Sequence, residues 1–146
     1  MKEQKTKLMR EFTILTEMEE RIQEIYRAFG GKLVGTKRMQ RHVCKTVSVL
    51  PQNIIRYVTR NSWFLSSLND AWAFTFTGND LKNQHLIFLS DDLLSQTPSQ
   101  IRYSTLHEIG HVMLGHRNSV LEKQSKQEVI KQEKEADQFA EQYTAG

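Results

Sequence analysis

The sequence predicts an α+β fold in which a small, mostly antiparallel sheet packs against two helices. One carries His107-Glu108-Ile109-Gly110-His111, and the other closes the chain. Three observations predict it. Apolar residues recur at helical spacing over Leu8 to Phe29, Ile101 to Leu114 and Val129 to Tyr143. Two runs alternate with period two: Trp72, Phe74 and Phe76 interleave with Ala73, Thr75 and Thr77, and His85 to Ser90 forms the second. Gly78-Asn79-Asp80 begins the loop between them, so the pair reads as an antiparallel hairpin just before the His107 helix.

The elements follow in order. Leu8, Phe12, Leu15, Ile22, Tyr26 and Phe29 share one side of a first helix that ends at Gly30-Gly31, and this stripe is expected to pack into the core, with a docking surface as the other reading. Lys37, Arg38, Arg41 and Lys45 form a basic cluster with no interleaved aromatics or reading motif. It is expected to be a solvated surface, with no direct nucleic-acid binding. Val43 to Leu50 is ambiguous between strand and helix. Pro51 opens a short helix through Ile54, Ile55 and Val58 that ends near Asn61.

At 146 residues, with 38% hydrophobic and 25% charged side chains, the chain suits one compact soluble domain. A single cysteine, Cys44, excludes an intrachain disulfide and fits a reducing, cytoplasmic setting. No apolar run approaches a membrane span, and the first residues lack a signal-peptide pattern. The net charge of +3 is mild.

The His107 helix carries the chemistry. Thr97-Pro98 supplies a hydroxyl N-cap and a proline at the first helical position. Ile101, Tyr103, Leu106, Ile109, Val112, Met113 and Leu114 occupy its flanks and back, leaving Gln100, Ser104, His107 and His111 in a narrow polar arc. Two histidines four apart on a helix project about 40° apart and about 6 Å along the axis, so both can reach one metal ion. Glu108 flanks that face, where a carboxylate can take a proton from an attacking water. Such groups on a buried helix need partners, and a divalent cation satisfies all three.

A third ligand must come from elsewhere. His116 lies about 180° round a straight helix from His107, and Leu114 and Arg117 stand where a longer H-E-x-x-H-x-x-G-x-x-H pattern needs Gly and His. In the last segment Val129, Ala136, Phe139, Ala140 and Tyr143 form an apolar stripe, and Glu133 falls near its middle. An inward carboxylate is costly unless it is paired or holds a metal. Asp137, one turn on, is placed to accept the outer N–H of a ligating histidine. Two histidines, a glutamate and an open fourth position make a catalytic zinc set, one ion per chain.

Ser104 to His116 together with Glu133-Lys134-Glu135-Ala136-Asp137-Gln138-Phe139-Ala140 resembles the pattern H-E-x-G-H … E-x-x-A-[ND]-x-F-A of the ImmA/IrrE family, small bacterial and phage-borne zinc metallopeptidases. The resemblance covers residues 85 to 143. It implies a zincin-like fold, His107, His111 and Glu133 as zinc ligands, Glu108 as the catalytic acid/base, and Asp137 as support for a ligand histidine. It also implies a protein substrate, a helix-turn-helix repressor cut once.

The expected organisation is one domain over 1–146, with an N-terminal helix in 1–30 and a catalytic core in 71–143. His85, Leu86, Ile87, Phe88 and Leu89 form the candidate sheet edge for an extended substrate strand. Tyr103, His85 and Tyr143 are the candidates for a second oxyanion donor. Two other classes stay open: a non-proteolytic zinc-containing interaction module, and a DNA-associated protease of the SprT-like type.

Overall fold

The computed structural model describes residues 2–67, 74–76, 84–115 and 125–144. Trp72, the turn at Gly78-Asn79-Asp80 and His116 lie outside them. The fold is α+β and mostly helical, in the order α1 (Lys2–Phe29), β1 (Leu33–Val34), α2 (Lys37–Ser48), α3 (Gln52–Asn61), β2 (Ser62–Ser67), β3 (Phe74–Phe76), β4 (His85–Ser90), α4 (Pro98–Met113) and α5 (Lys126–Thr144).

Among the described residues the sheet has four strands, in the order β1-β2-β4-β3. β3 pairs antiparallel with β4, Phe74 opposite Phe88 and Phe76 opposite Leu86. The other two pairings are parallel, β1 with β2 and β2 with β4. The expectation of a mostly antiparallel sheet is therefore corrected. Parallel neighbours need a crossover, and α2 with α3 supplies one between β1 and β2. The sheet thus begins well before residue 71.

β4 is also corrected as a sheet edge. Ser62 to Ser67 of β2 flank all six of its residues, and β3 takes its other side. His85, Ile87 and Leu89 are buried and Leu86 and Phe88 half-buried, so this run is interior.

Residues 43–50, ambiguous in sequence, belong mostly to α2. Thr36 caps it by accepting from the Met39 backbone N–H, and Met39, Val43, Cys44 and Val47 are buried on one face. The basic side chains of α2 are partly structural. Arg41 forms a two-pronged ion pair with Glu19 of α1, and Arg38 donates to the Leu94 carbonyl at 3.0 Å. α3 follows Pro51 as expected and buries Ile54, Ile55 and Val58. Between β1 and α2, Gly35 has φ +153°, and a Cβ there would lie 2.0 Å from Ser66 Oγ, so the β1–β2 pairing requires glycine.

α1 departs most from expectation. Only Ile22, Ile25 and Phe29 are buried, with Phe29 edge-on to Phe64 of β2. Leu8, Phe12 and Leu15 are exposed, because the helix runs some five turns beyond the elements that cover its last two. Among the described helices, none is long and apolar enough to cross a membrane.

Candidate metal centre on helices α4 and α5

α4 begins with a reciprocal cap: the Gln100 backbone donates to Thr97 Oγ1 at 3.3 Å, and the Thr97 backbone donates to Gln100 Oε1 at 3.1 Å. Gln100 is thus a capping residue rather than part of the histidine face. The helix buries Ile101, Thr105, Leu106, Ile109 and Val112. It ends at Met113, and Gly115 takes the left-handed φ of +67° that often follows a helix. His116, expected on the side of a straight helix opposite His107, lies outside the described residues.

The ligand-bearing faces meet because α4 and α5 approach closely at Gly110. A Cβ there would lie 3.1 Å from Phe139 Cβ and 3.2 Å from the ring. Ala136 and Ala140, fully buried, keep the rest of the crossing close. Phe139 stacks at a tilt on Tyr143, ring centres 4.9 Å apart, and both pack against the core.

At one rim of this crossing, His107, Glu108 and His111 come together. One ligand atom from each lies within 4.8 Å of the others. The two Nε2 atoms are 3.2 Å apart, with the rings edge to face. From α5, Glu133 Oε2 lies 2.9 Å from His107 Nε2, and Oε1 lies 3.2 Å from His111 Nε2. On the far side of His107, Nδ1 lies 2.8 Å from Asp137 Oδ1. The Tyr103 hydroxyl donates to that same oxygen at 3.0 Å.

Glu133 differs from expectation in one respect. Its side chain is 53% exposed, because it lies one turn before Ala136, where the α5 stripe leaves the core. Val129, the next stripe residue outward, is exposed too. The carboxylate is held toward the histidines without the desolvation cost expected of an inward position. Glu108, by contrast, is buried at 6% exposure.

The donor set suits a cation. An ionised Asp137 only accepts, so His107 Nδ1 is its donor, and a neutral imidazole has no second N–H. His107 Nε2 then points a lone pair toward another imidazole nitrogen and a carboxylate. Four-coordinate zinc holds N and O ligands at about 2.0–2.1 Å, which sets neighbouring ligand atoms about 3.3 Å apart. The observed separations of 2.9 to 3.2 Å come within a few tenths of an ångström of that spacing.

Residues 99–144 match the family model for Peptidase U49. The Peptidase U49 match spans nearly all of α4 and α5, the two elements that hold every residue of this centre, and it supports a peptidase. No curated protein and no solved structure matches the chain.

Two of the three oxyanion candidates have polar partners elsewhere, and the ring of the third packs on a neighbour. Tyr103 is committed to Asp137; burial, then that carboxylate, pushes its phenol up to about 12, so it stays a neutral donor. His85 meets the Tyr57 hydroxyl at 2.9 Å through Nε2, and burial lowers its pKa. Tyr143 packs on Phe139. Sequence reasoning missed Tyr103 as the group that steadies Asp137 and Gly110 as the contact point of the helices. A glycine inside an otherwise helical pattern was the available signal for the second.

Proposed function

We propose that the protein is a zinc-dependent endopeptidase acting on a selected intracellular protein. The observation that carries this reading is the convergence of two imidazole Nε2 atoms and the Glu133 carboxylate beside a buried Glu108, within the segment that matches a peptidase family.

His107, His111 and Glu133 would hold the ion. Bound zinc supplies Lewis acidity, lowering the pKa of water toward 7 and polarising a scissile carbonyl. Glu108 accepts the proton of the attacking water and returns it to the leaving amine. Asp137 fixes the His107 tautomer, and Tyr103 steadies Asp137. A purely structural zinc site has no use for an acid/base beside the metal, so Glu108 favours an enzyme over a zinc-folded module. Neutralisation of Arg41 by Glu19 and the use of Arg38 as a tether weaken the case for a DNA-associated protease.

An extended substrate adds by main-chain pairing at the β3 end of the sheet, since β4 is paired on both sides. The kinship with ImmA/IrrE proteases suggested by the two motif blocks makes a cytoplasmic helix-turn-helix repressor the substrate class to try first.

The test is Glu108→Gln. Cells expressing the wild type should show new protein N-termini by terminal-peptide mass spectrometry that are absent with the Glu108→Gln form, while both purified proteins hold one zinc. Identical termini with the two forms would sink the protease reading.

A further inference from the structure

The first five turns of α1 present a large apolar surface. Leu8, Met9, Phe12, Ile14, Leu15 and Met18 are 49 to 72% exposed, and no residue from Lys2 to Arg21 is buried. On the helical wheel, Leu15, Met18 and Ile14 continue the face that Ile22, Ile25 and Phe29 bury lower down, Leu8 and Phe12 widen it, Glu11 falls within it, and Met9 lies on the opposite side.

Its charges run against its own dipole. Residues 2–10 carry four basic side chains and one acidic, whereas residues 11–24 carry five acidic and one basic. A helix by itself is stabilised by the reverse order, acids at the N-terminus and bases at the C-terminus. Local electrostatics therefore does not account for the pattern, but an antiparallel neighbour of the same sequence does. A pair centred near Thr13 overlays Leu8–Met18 of both copies and lays residues 2–10 of each over residues 16–24 of the other. Opposite charges then meet at both ends. A parallel pair would set basic against basic and acidic against acidic.

We propose that the protein is a homodimer in which α1 pairs antiparallel with α1 of a second copy. The five of these side chains on that face, each exposing about half to three-quarters of roughly 200 Å², would bury on the order of 1,200 Å² across the pair, the lower end of the range for a stable interface. The acidic stretch on the same helix disfavours an anionic lipid surface as the occupant. The proposal stands apart from the zinc site: none of the six residues is on α4 or α5.

Sedimentation equilibrium of the full chain at micromolar concentration should give a dimer. Phe12→Glu combined with Leu15→Glu should weaken association at least 100-fold, with zinc content and the circular dichroism of the folded body retained, since neither residue is buried. A nitroxide attached at Lys5→Cys should lie about 25 Å from its twin in an antiparallel pair and about 10 Å in a parallel one; Cys44 is buried. A monomeric wild type, a dimer untouched by the double substitution, or the shorter distance would each overturn the proposal. So would a monomer that binds phosphatidylserine vesicles through these residues.

Discussion

His107 and Asp137 meet across two helices: Nδ1 of the histidine lies 2.8 Å from Oδ1 of the aspartate, 30 residues later in the chain. The same oxygen accepts the Tyr103 hydroxyl, so one carboxylate atom sets the tautomer of the imidazole and is itself held in place. Removing such an outer partner of a metal-bound histidine typically costs about 10- to 100-fold in metal affinity. Asp137→Ala should lower zinc affinity by that factor in a chelator competition, and Tyr103→Phe by less, because the His107 contact survives. Equal affinities for Asp137→Ala and the wild type would remove Asp137 from the centre.

Glu133 is half-exposed yet lies against both histidines. Glu133→Ala should therefore leave thermal stability of the zinc-free protein nearly unchanged while reducing zinc occupancy well below one. Glu128→Ala, at an exposed carboxylate in the first turn of α5, should leave zinc occupancy at one. Plasma emission analysis of dialysed protein decides between them.

Gly110 and Phe139 control the helix separation. Alanine at 110 gains roughly 1 kcal/mol of helix propensity, but its Cβ meets Phe139 at 3.1–3.2 Å. We expect the contact to push α5 outward, so Gly110→Ala weakens zinc binding more than it alters stability. Adding Phe139→Leu should recover part of the lost affinity, a positive coupling in the double-mutant cycle. Additive losses would mean that the crossing distance does not govern the site.

Burial lowers the pKa of His85 in the folded state. The unfolded chain then binds more protons below its ordinary value of about 6.5, so stability falls as pH drops through that value toward the folded one. In urea titrations at pH 7.5 and 5.5, His85→Gln should lose less stability on acidification than the wild type. The difference between the two proteins cancels proton effects at the proposed metal ligands. A residual acid loss is expected from His42, whose pKa is lowered by burial and by Arg38, Lys45 and Arg41. Parallel acid slopes for wild type and variant would contradict the burial effect at His85.

What was legible in the sequence was local. The Thr97-Pro98 start, the meeting of His107, Glu108 and His111, and the pairing of residues 74–76 with 86–88 each depend on positions a few residues apart. The errors concern neighbours distant in the chain. Periodicity shows that His85 to Leu89 form a strand but not that β2 lies alongside, which made the run an apparent edge. The apolar spacing of Leu8 to Phe29 marks a helix face without saying where its cover ends. Glu133 sits on the stripe of α5, yet its exposure depends on where α5 leaves α4.

The crossing of α4 and α5 also orders events as the chain folds. His107 and Glu133 are 26 residues apart, and only a dozen residues separate the two helices. β1 and β2 must instead close around two intervening helices before they pair. Contacts near in sequence form sooner than distant ones, and a metal that binds its ligands adds its binding energy to folding. At the proposed metal site a bound ion would thus hold the helical hairpin before β1, 31 residues from its partners in β2, is paired, so metal supply during synthesis would influence the yield of folded protein as well as its later activity.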